Sequence, residues 1–455
     1  MPVLTITNPA TGAQLAALPG DDAASIAAKA RAARAAQPAW AARALAERIA
    51  IMRRFRDAVV AEREALALTL TQEVGKPIAQ SRNELNGLLP RLDFFLDHAA
   101  AALADEAVFD DPAMRERISH VPLGVVANIS AWNYPWFVSC NVVVPALLAG
   151  NAVLYKPSEV ATLTGQHLVR LLHAAGVPSD VLALVVGAGE AGAALLEQPI
   201  DGLFFTGSVA TGKRIAKALA GRLVKLQLEL GGKDPTYVRA DADPKTAAES
   251  LADGAMYNAG QSCCSVERIY VHATIHDAFV KHFLATVDGF KIGDPMDETT
   301  YIGAIARAPQ LAVLDAQVAD AKAKGATLVR GGHRLPHQAY APTVFTNVNH
   351  TMELMREESF GPVIGIQKVV SDEEAVALMN DTHYGLTAGV YTRDEVAARA
   401  LLARVNAGSV YWNCCDRVSP RLPWSGVGDS GIGLTLSTYG IQTFTKPKAW
   451  HLRAP

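Results

Sequence analysis

Short apolar strands alternating with helices of ten or so residues predict an α/β protein with two doubly wound parallel-sheet domains and a small β arm. Three features lead there. Between Gly124 and Leu230 the chain cycles repeatedly through strand, turn and helix. A second series of the same kind begins after Gly232. The last segment, Gly440–Arg453, reads as extended but contains Pro447, which confines it to a sheet edge or an inter-subunit arm. A chain of 455 residues is also too long for one ordinary core, so two or three domains are expected.

The elements follow in order. Residues 22–75 are rich in Ala, Arg and Glu with helical periodicity and predict paired helices, with Pro38 inside the first. A further helix is expected over Ile78–Ala104. Met114–Val121 alternates and ends at Pro122-Leu123-Gly124, a strand followed by a turn. Val125–Ser130, Asn151–Tyr155, Val181–Val186, Gly202–Phe205 and Val224–Leu230 are then the strands of the first sheet, with helices over Phe137–Ala149, Gly165–Ala175, Ala191–Glu197 and Thr211–Ala220. The second series has strands over Thr236–Val238, Arg268–His272, Ala326–Arg330, Val363–Val369, Gly389–Thr392 and Gly408–Trp412. Its helices are Pro244–Ala259, His276–Val287, Ala308–Ala323, Asp372–Met379 and Asp394–Arg404.

Composition excludes several functions. Half the residues are hydrophobic, 19% are charged and the net charge is −3, so no basic footprint for nucleic acid or a membrane surface exists. The opening residues lack a basic stretch followed by an apolar core, so no secretory signal is expected. The longest apolar runs, such as Val142–Ala149, are too short to span a bilayer. A soluble, cytoplasmic protein is expected. Five cysteines, two pairs of them adjacent, make no disulfide framework, and the scattered histidines form no metal-ligand pattern.

Chemistry-bearing residues cluster at the predicted strand ends. Gly260-Gln261-Ser262-Cys263-Cys264 places a thiol beside a flexible turn, and Glu229 ends an apolar run before Gly231-Gly232-Lys233. A thiol and a carboxylate of this kind fit covalent catalysis, in which sulfur attacks a carbonyl and the carboxylate activates water. Cys263 alone reads first as a small buried hydrophobe, the commonest fate of a free cysteine. Lys156-Pro157-Ser158-Glu159 follows a strand; its lysine and carboxylate suit ribose hydroxyls, or else form a solvated turn. Thr206-Gly207-Ser208 opens a helix and either holds a phosphate or caps that helix. Gly187-Ala188-Gly189-Glu190-Ala191-Gly192 matches the dinucleotide fingerprint, but the candidates for the acid that should follow it, Asp201 and Gly207-Ser208, fit poorly. Ile129 to Trp136 is dense in aromatics at a strand end, either as core or as packing around Asn133, a candidate oxyanion donor.

Taken in order, these pieces resemble the aldehyde dehydrogenase superfamily of the NAD(P)-dependent, hydrolytic type. The likeness rests on Trp132-Asn133-Tyr134-Pro135, Lys156 to Glu159, Phe205 to Ser208, Glu229 to Lys233, Gly260 to Cys263, Glu357 to Pro362 and Pro423 to Gly426 with Ser430-Gly431. The resemblance implies a Rossmann-like cofactor domain from residues 1–103 and 123–231, a catalytic domain from 232–434, and an oligomerisation arm from 104–122 and 435–455. It implies Cys263 as nucleophile, Asn133 as oxyanion donor and Glu229 as general base. Ile129, Ser130, Trp132, Lys156, Ser158, Glu159, Gly189, Thr206, Gly207, Ser208, Leu230, Gly231, Glu358 and Phe360 would hold the dinucleotide. Tyr134, Trp136, Met256, Tyr257, Cys264 and Trp424 would line the substrate tunnel, with Arg417 and Arg421 flanking its mouth. Two positions depart from the family pattern: Gly428 where a lysine is frequent, and Thr435 where many members carry a second glutamate.

The implied reaction is oxidation of an aldehyde to its acid through a Cys263 thiohemiacetal and thioester. Glu159 favours NAD, because a carboxylate facing the 2′-hydroxyl repels a 2′-phosphate, while Lys156 and Ser158 leave NADP open. The substrate is a small-molecule aldehyde, aromatic or medium aliphatic in preference to an amino aldehyde or acidic semialdehyde. A homodimer or homotetramer is implied. The competing readings are a CoA-acylating enzyme, against which Glu229 argues, and a non-enzymatic scaffold retaining the fold.

Overall fold

The computed structural model describes residues 3–454 and contains two large sheets of mainly parallel strands. The first has the spatial order Gly431–Ile432, Lys225–Glu229, Gly202–Thr206, Val125–Ile129, Ala152–Lys156, Leu182–Leu184. All neighbours are parallel except Gly431–Ile432, which runs antiparallel to Lys225–Glu229. The chain steps from Val125–Ile129 outward to Leu182–Leu184, then returns to the other side through Gly202–Thr206. That reversal creates a crevice at the carboxyl ends of Val125–Ile129 and Gly202–Thr206, where open α/β sheets bind ligands.

The second sheet has seven strands, ordered Thr327–Arg330, Thr343–Thr346, Val363–Val369, Val266–His272, Asp234–Val238, Thr387–Tyr391, Ser409–Trp412. Only the edge strand Thr327–Arg330 is antiparallel. Val125–Ile129, Ala152–Lys156, Asp234–Val238 and Thr387–Tyr391 are buried along their whole length. Helices cover both faces of such strands, which explains their continuous apolar runs. The helices Ala23–Ala41, Leu45–Val74 and Ile78–Ala102 join the first core, with Trp40, Phe55, Leu88 and Phe95 fully buried.

The third sheet joins Thr445–Arg453, Met114–Pro122 and Glu106–Asp111 antiparallel. Glu106–Asp111 is exposed throughout, and Thr445–Arg453 is exposed beyond its first residue. Among the described residues no helix is long and apolar enough to cross a membrane.

Several local expectations are corrected. The expected helix Pro244–Ala259 ends at Met256, because Asn258, Ala259 and Gly260 all take positive φ (53°, 54° and 69°). Three consecutive left-handed residues cannot continue a right-handed helix. Thr343–Thr346 is a strand hidden from sequence reading by its brevity and by Pro342 before it. The hairpin Val3–Thr7 with Gln14–Pro19 also went unread. The extended stretch expected from Gly440 starts only at Thr445; Ser437–Gln442 is a short helix whose Ile441, with Leu436 and Phe444, is buried in the first core.

Candidate active site

Four parallel strands of the first sheet end in Ile129, Lys156, Thr206 and Glu229. All four residues line one cavity of about 720 Å³. The fourteen residues expected to hold a dinucleotide all line it as well. Gly189 starts the helix Gly189–Leu196, and a Cβ there would meet nothing within 4 Å, so the backbone is open to close approach. Ser208 lines the cavity and also caps the helix Val209–Leu219, accepting from the Thr211 N–H. Ser208 thus caps the helix and faces the cavity at the same time. Lys156 is buried, which lowers its pKa; the nearby Glu159 opposes that effect. A nucleotide fits this lining: a buried ammonium, a carboxylate beside it and a helix N-terminus converge on one space.

The far wall comes from the second sheet. Glu267, on strand Val266–His272, accepts from the Ser359 N–H at 2.9 Å, the Phe360 N–H at 3.0 Å and the Lys233 ammonium at 2.5 Å. This buried carboxylate pins the loop that carries Glu358 and Phe360 to the cavity. Glu358 accepts from the Gly232 N–H at 3.1 Å, and burial, aided by the charge of Glu267, pushes its pKa up to about 8. A Cβ on Gly231 would lie 2.4 Å from the Glu358 carboxylate, so only glycine permits this approach. Phe360 meets Trp132 edge to face, with ring centroids 5.5 Å apart.

A second cavity, of about 460 Å³, lies beyond Cys263. Thr206, Glu229 and Cys263 line both cavities and so form their junction. The half-buried Cys263 thiol follows the left-handed turn, which is held from several sides. Asn258 donates to the carbonyls of Asn133 and Gln261, and Gln261 donates to the Asn258 and Ala304 carbonyls. The Asn133 side chain is buried and donates to the Gln261 carbonyl at 3.2 Å. A Cβ on Gly260 would lie 2.3 Å from the Gly361 carbonyl oxygen, so the turn packs directly on the Glu358 loop.

Glu229 is buried, and Trp424 Nε1 donates to its Oε1 at 3.1 Å. Its Oε2 is buried with no donor in hydrogen-bonding geometry. Burial raises its pKa above the ordinary carboxylate range, while the Trp424 N–H and the adjacent Cys263 and Thr206 side chains work against that rise. The Cys263 pKa is also raised, first by its contact with Cys264, then by burial and by the Glu229 charge.

Tyr134, Tyr257, Cys264 and Trp424 line the second cavity as expected. Trp136 and Met256 do not; both are fully buried in core clusters. The helix from Pro135 explains the first case. Tyr134, Phe137, Val138, Asn141 and Val142 recur at helical spacing on the cavity face, and Trp136 points elsewhere. Arg417 lines the cavity and Arg421 does not. Sequence reading missed Glu84, Arg91, Phe137 and Asp416 here, and Arg214, Arg307 and Gln310 in the first cavity. A signal existed for two of them: Glu84 and Arg91 interrupt the apolar stripe Leu85, Leu88, Leu92 and Phe95 on a helix.

A cavity at the sheet crossover suited to a nucleotide, joined to a second cavity through a cysteine and a buried glutamate, is the arrangement a cofactor-dependent oxidoreductase needs. Residues 2–450 match the family model described as the aldehyde dehydrogenase family. The chain is 37% identical over 444 residues to a Mycolicibacterium smegmatis protein carrying the provisional name succinate-semialdehyde dehydrogenase [NADP(+)], covering 96% of this chain and 86% of that one. It is 36% identical over 453 residues to betaine aldehyde dehydrogenase 2 of Rhizobium meliloti, covering 98% and 94%. Its fold matches the crystal structure of an NAD-dependent aldehyde dehydrogenase from Sinorhizobium meliloti with a TM-score of 0.96 at 34% identity, over 100% of this chain and 93% of that one. The chain belongs to the aldehyde dehydrogenase family. It is an NAD(P)-dependent enzyme of aldehyde oxidation, and the relatives' differing names leave its aldehyde unassigned.

Proposed function

We propose that this enzyme oxidises its aldehyde at Cys263 and releases the acid by hydrolysis with Glu229 as the base. The observation that carries this reading is the position of Cys263 and Glu229 at the junction of the two cavities. Lys156, Glu159, Ser208, Glu358 and Phe360 would hold the dinucleotide, which when bound would supply the hydride acceptor. Cys263 loses its proton and its sulfur attacks the carbonyl carbon, giving a thiohemiacetal. The Asn133 side-chain amide and the Cys263 backbone N–H stabilise the oxyanion. Loss of hydride from that carbon leaves a thioester on Cys263. Glu229, through its unpartnered Oε2, takes a proton from water, which attacks the thioester and frees the acid and the thiol. Because the thiol pKa is raised, the sulfur is mainly protonated at rest, and its proton passes to solvent water before attack, which leaves Glu229 ionised for the later step.

The proposed division is a cofactor domain (1–103, 123–231), a catalytic domain (232–434) and an arm (104–122, 435–455). Gly431–Ile432 and the buried residues to Phe444 add to the first body, so the arm proper starts at Thr445. Its exposed edge strands, bearing Val108, Phe109, Trp450 and Leu452, support assembly with further copies of the chain. A cytoplasmic location agrees with the free cysteines. With NAD and an aldehyde panel, the enzyme is expected to form NADH and acid in equal amounts without CoA. Cys263→Ala is expected to abolish turnover. Full activity in that variant, or an absolute requirement for CoA, would overturn the hydrolytic Cys263 reading.

A further inference from the structure

Arg91 is a buried cation on the substrate-side cavity with no counter-ion among the described residues. Arg91 is 4% exposed and lines the cavity from the helix Ile78–Ala102. Its guanidinium donates to the Asn141 side-chain oxygen at 2.9 Å and, at 3.5 Å, to the Val418 carbonyl. Its Nε is buried with no acceptor. Among the described residues it forms no ion pair. Burial lowers its pKa to about 10, so it stays charged at neutral pH. A guanidinium taken out of water and left with one neutral amide and one distant carbonyl is costly unless something else meets it.

The neighbouring acids bond other donors and none bonds Arg91. Glu84 bonds the buried Lys76 ammonium through one oxygen and accepts the Trp136 N–H at 2.9 Å through the other. Asp416 accepts from Ser262 at 3.2 Å and from Cys264 at 3.0 Å. Asp253 accepts from the Tyr301 hydroxyl.

Two aromatic rings of the wall are engaged as well, and by cations. Lys76 Nζ lies 3.8 Å from the Tyr134 ring centroid, and the Arg91 guanidinium lies 4.2 Å from that of Phe137. The two rings are parallel, 5.9 Å apart. Gly87 makes room for Phe137: a Cβ there would sit 2.9 Å from the ring. The Trp424 N–H is committed to Glu229. A positively charged substrate would therefore meet two aromatic rings that already hold two of the protein's own cations.

We propose that the substrate carries a carboxylate at the end remote from its aldehyde, and that Arg91 is the residue that selects it. The proposal rests on the reading that the aldehyde reacts at Cys263. A carboxylate beside Arg91 supplies the missing acceptors in the planar geometry that guanidinium prefers. Arg417, exposed at the rim of the same cavity, adds attraction during entry. A phosphate fits less well, because only one buried cation is free to meet it.

The test compares kcat/KM for 4-oxobutanoate, its methyl ester and 4-(trimethylammonio)butanal, all at saturating NAD. The unaltered enzyme is expected to prefer the acid over the ester by about tenfold to a hundredfold, the range for a hydrogen bond to a charged group. The trimethylammonio aldehyde is expected to be the poorest of the three. In Arg91→Met the acid-to-ester ratio is expected to fall to about one, chiefly through KM, with partial recovery in Arg91→Lys. Glutarate is expected to compete with pentanal on the unaltered enzyme, a measurement that needs no variant to fold. Equal use of acid and ester, preference for the cation, an unchanged ratio in Arg91→Met, or no competition by glutarate would each overturn the proposal. If acid and ester are oxidised alike but Cys263→Ala still abolishes both, only the Arg91 assignment fails. If turnover survives without Cys263, both readings fail.

Discussion

Replacing Glu229 with glutamine separates the two halves of the reaction. The change is isosteric, and the side-chain oxygen of glutamine retains an acceptor for the Trp424 N–H now bonded at 3.1 Å. What disappears is the buried carboxylate, whose Oε2 has no other partner and whose pKa is raised by burial. A base with a raised pKa is a better proton acceptor for water at neutral pH. General-base catalysis of this kind contributes about 10²–10⁴-fold, which corresponds to about 2.7–5.5 kcal/mol of barrier. Glu229→Gln is therefore expected to lower steady-state turnover by that factor. Attack and hydride loss precede the need for water, so one equivalent of NADH per site still forms in a stopped-flow burst. An acylated Cys263 accumulates and is detectable by intact-protein mass. The pH profile carries a further sign. The base must be ionised, so wild-type turnover falls as pH drops through the raised Glu229 pKa, and the variant loses that limb. Undiminished steady-state turnover, or a burst reduced as far as turnover itself, would refute the assignment of Glu229 to hydrolysis.

Three further outcomes are expected. Trp424→Phe removes the donor that favours the Glu229 anion, so the acidic limb of the kcat profile should move up by about one to two pH units; an unmoved limb would show that this hydrogen bond does not tune the base. Lys76→Met leaves the buried Glu84 carboxylate without its cation and should cost about 3–5 kcal/mol in denaturant unfolding, with much of it restored in Lys76→Met/Glu84→Gln; additive losses would contradict a coupled pair. Deleting residues from Thr445 onward removes the edge strand that pairs along the whole of Met114–Pro122 and should lower the sedimentation mass, whereas an unchanged mass would remove the arm from assembly.

The elements that sequence reading placed well are those whose signal is local. The helix Ala308–Ala323 was read to the residue, and the buried parallel strands announced themselves as apolar runs between turns. Thr343–Thr346 and the hairpin at Val3–Pro19 are too short to carry a period, and Gly431–Ile432 is a strand only because Lys225–Glu229 lies beside it.

The site divides in the same way. The order of motifs from Trp132 to Ser430 was enough to identify the family, the reaction and the cofactor, because each motif combines a strand end with a residue of specific chemistry. Tertiary structure decided which side chains face one another. Trp136 and Met256 belong to helices whose rotation turns them into the core, an angle that depends on packing. Arg91 lies far from Cys263 in the chain, and only the meeting of helix Ile78–Ala102 with helix Pro135–Leu148 places it in the substrate cavity. Whether a charge is paired is a property of space. The unpaired state of Arg91, and the occupation of the Tyr134 and Phe137 faces by the chain's own cations, therefore had no counterpart in the sequence.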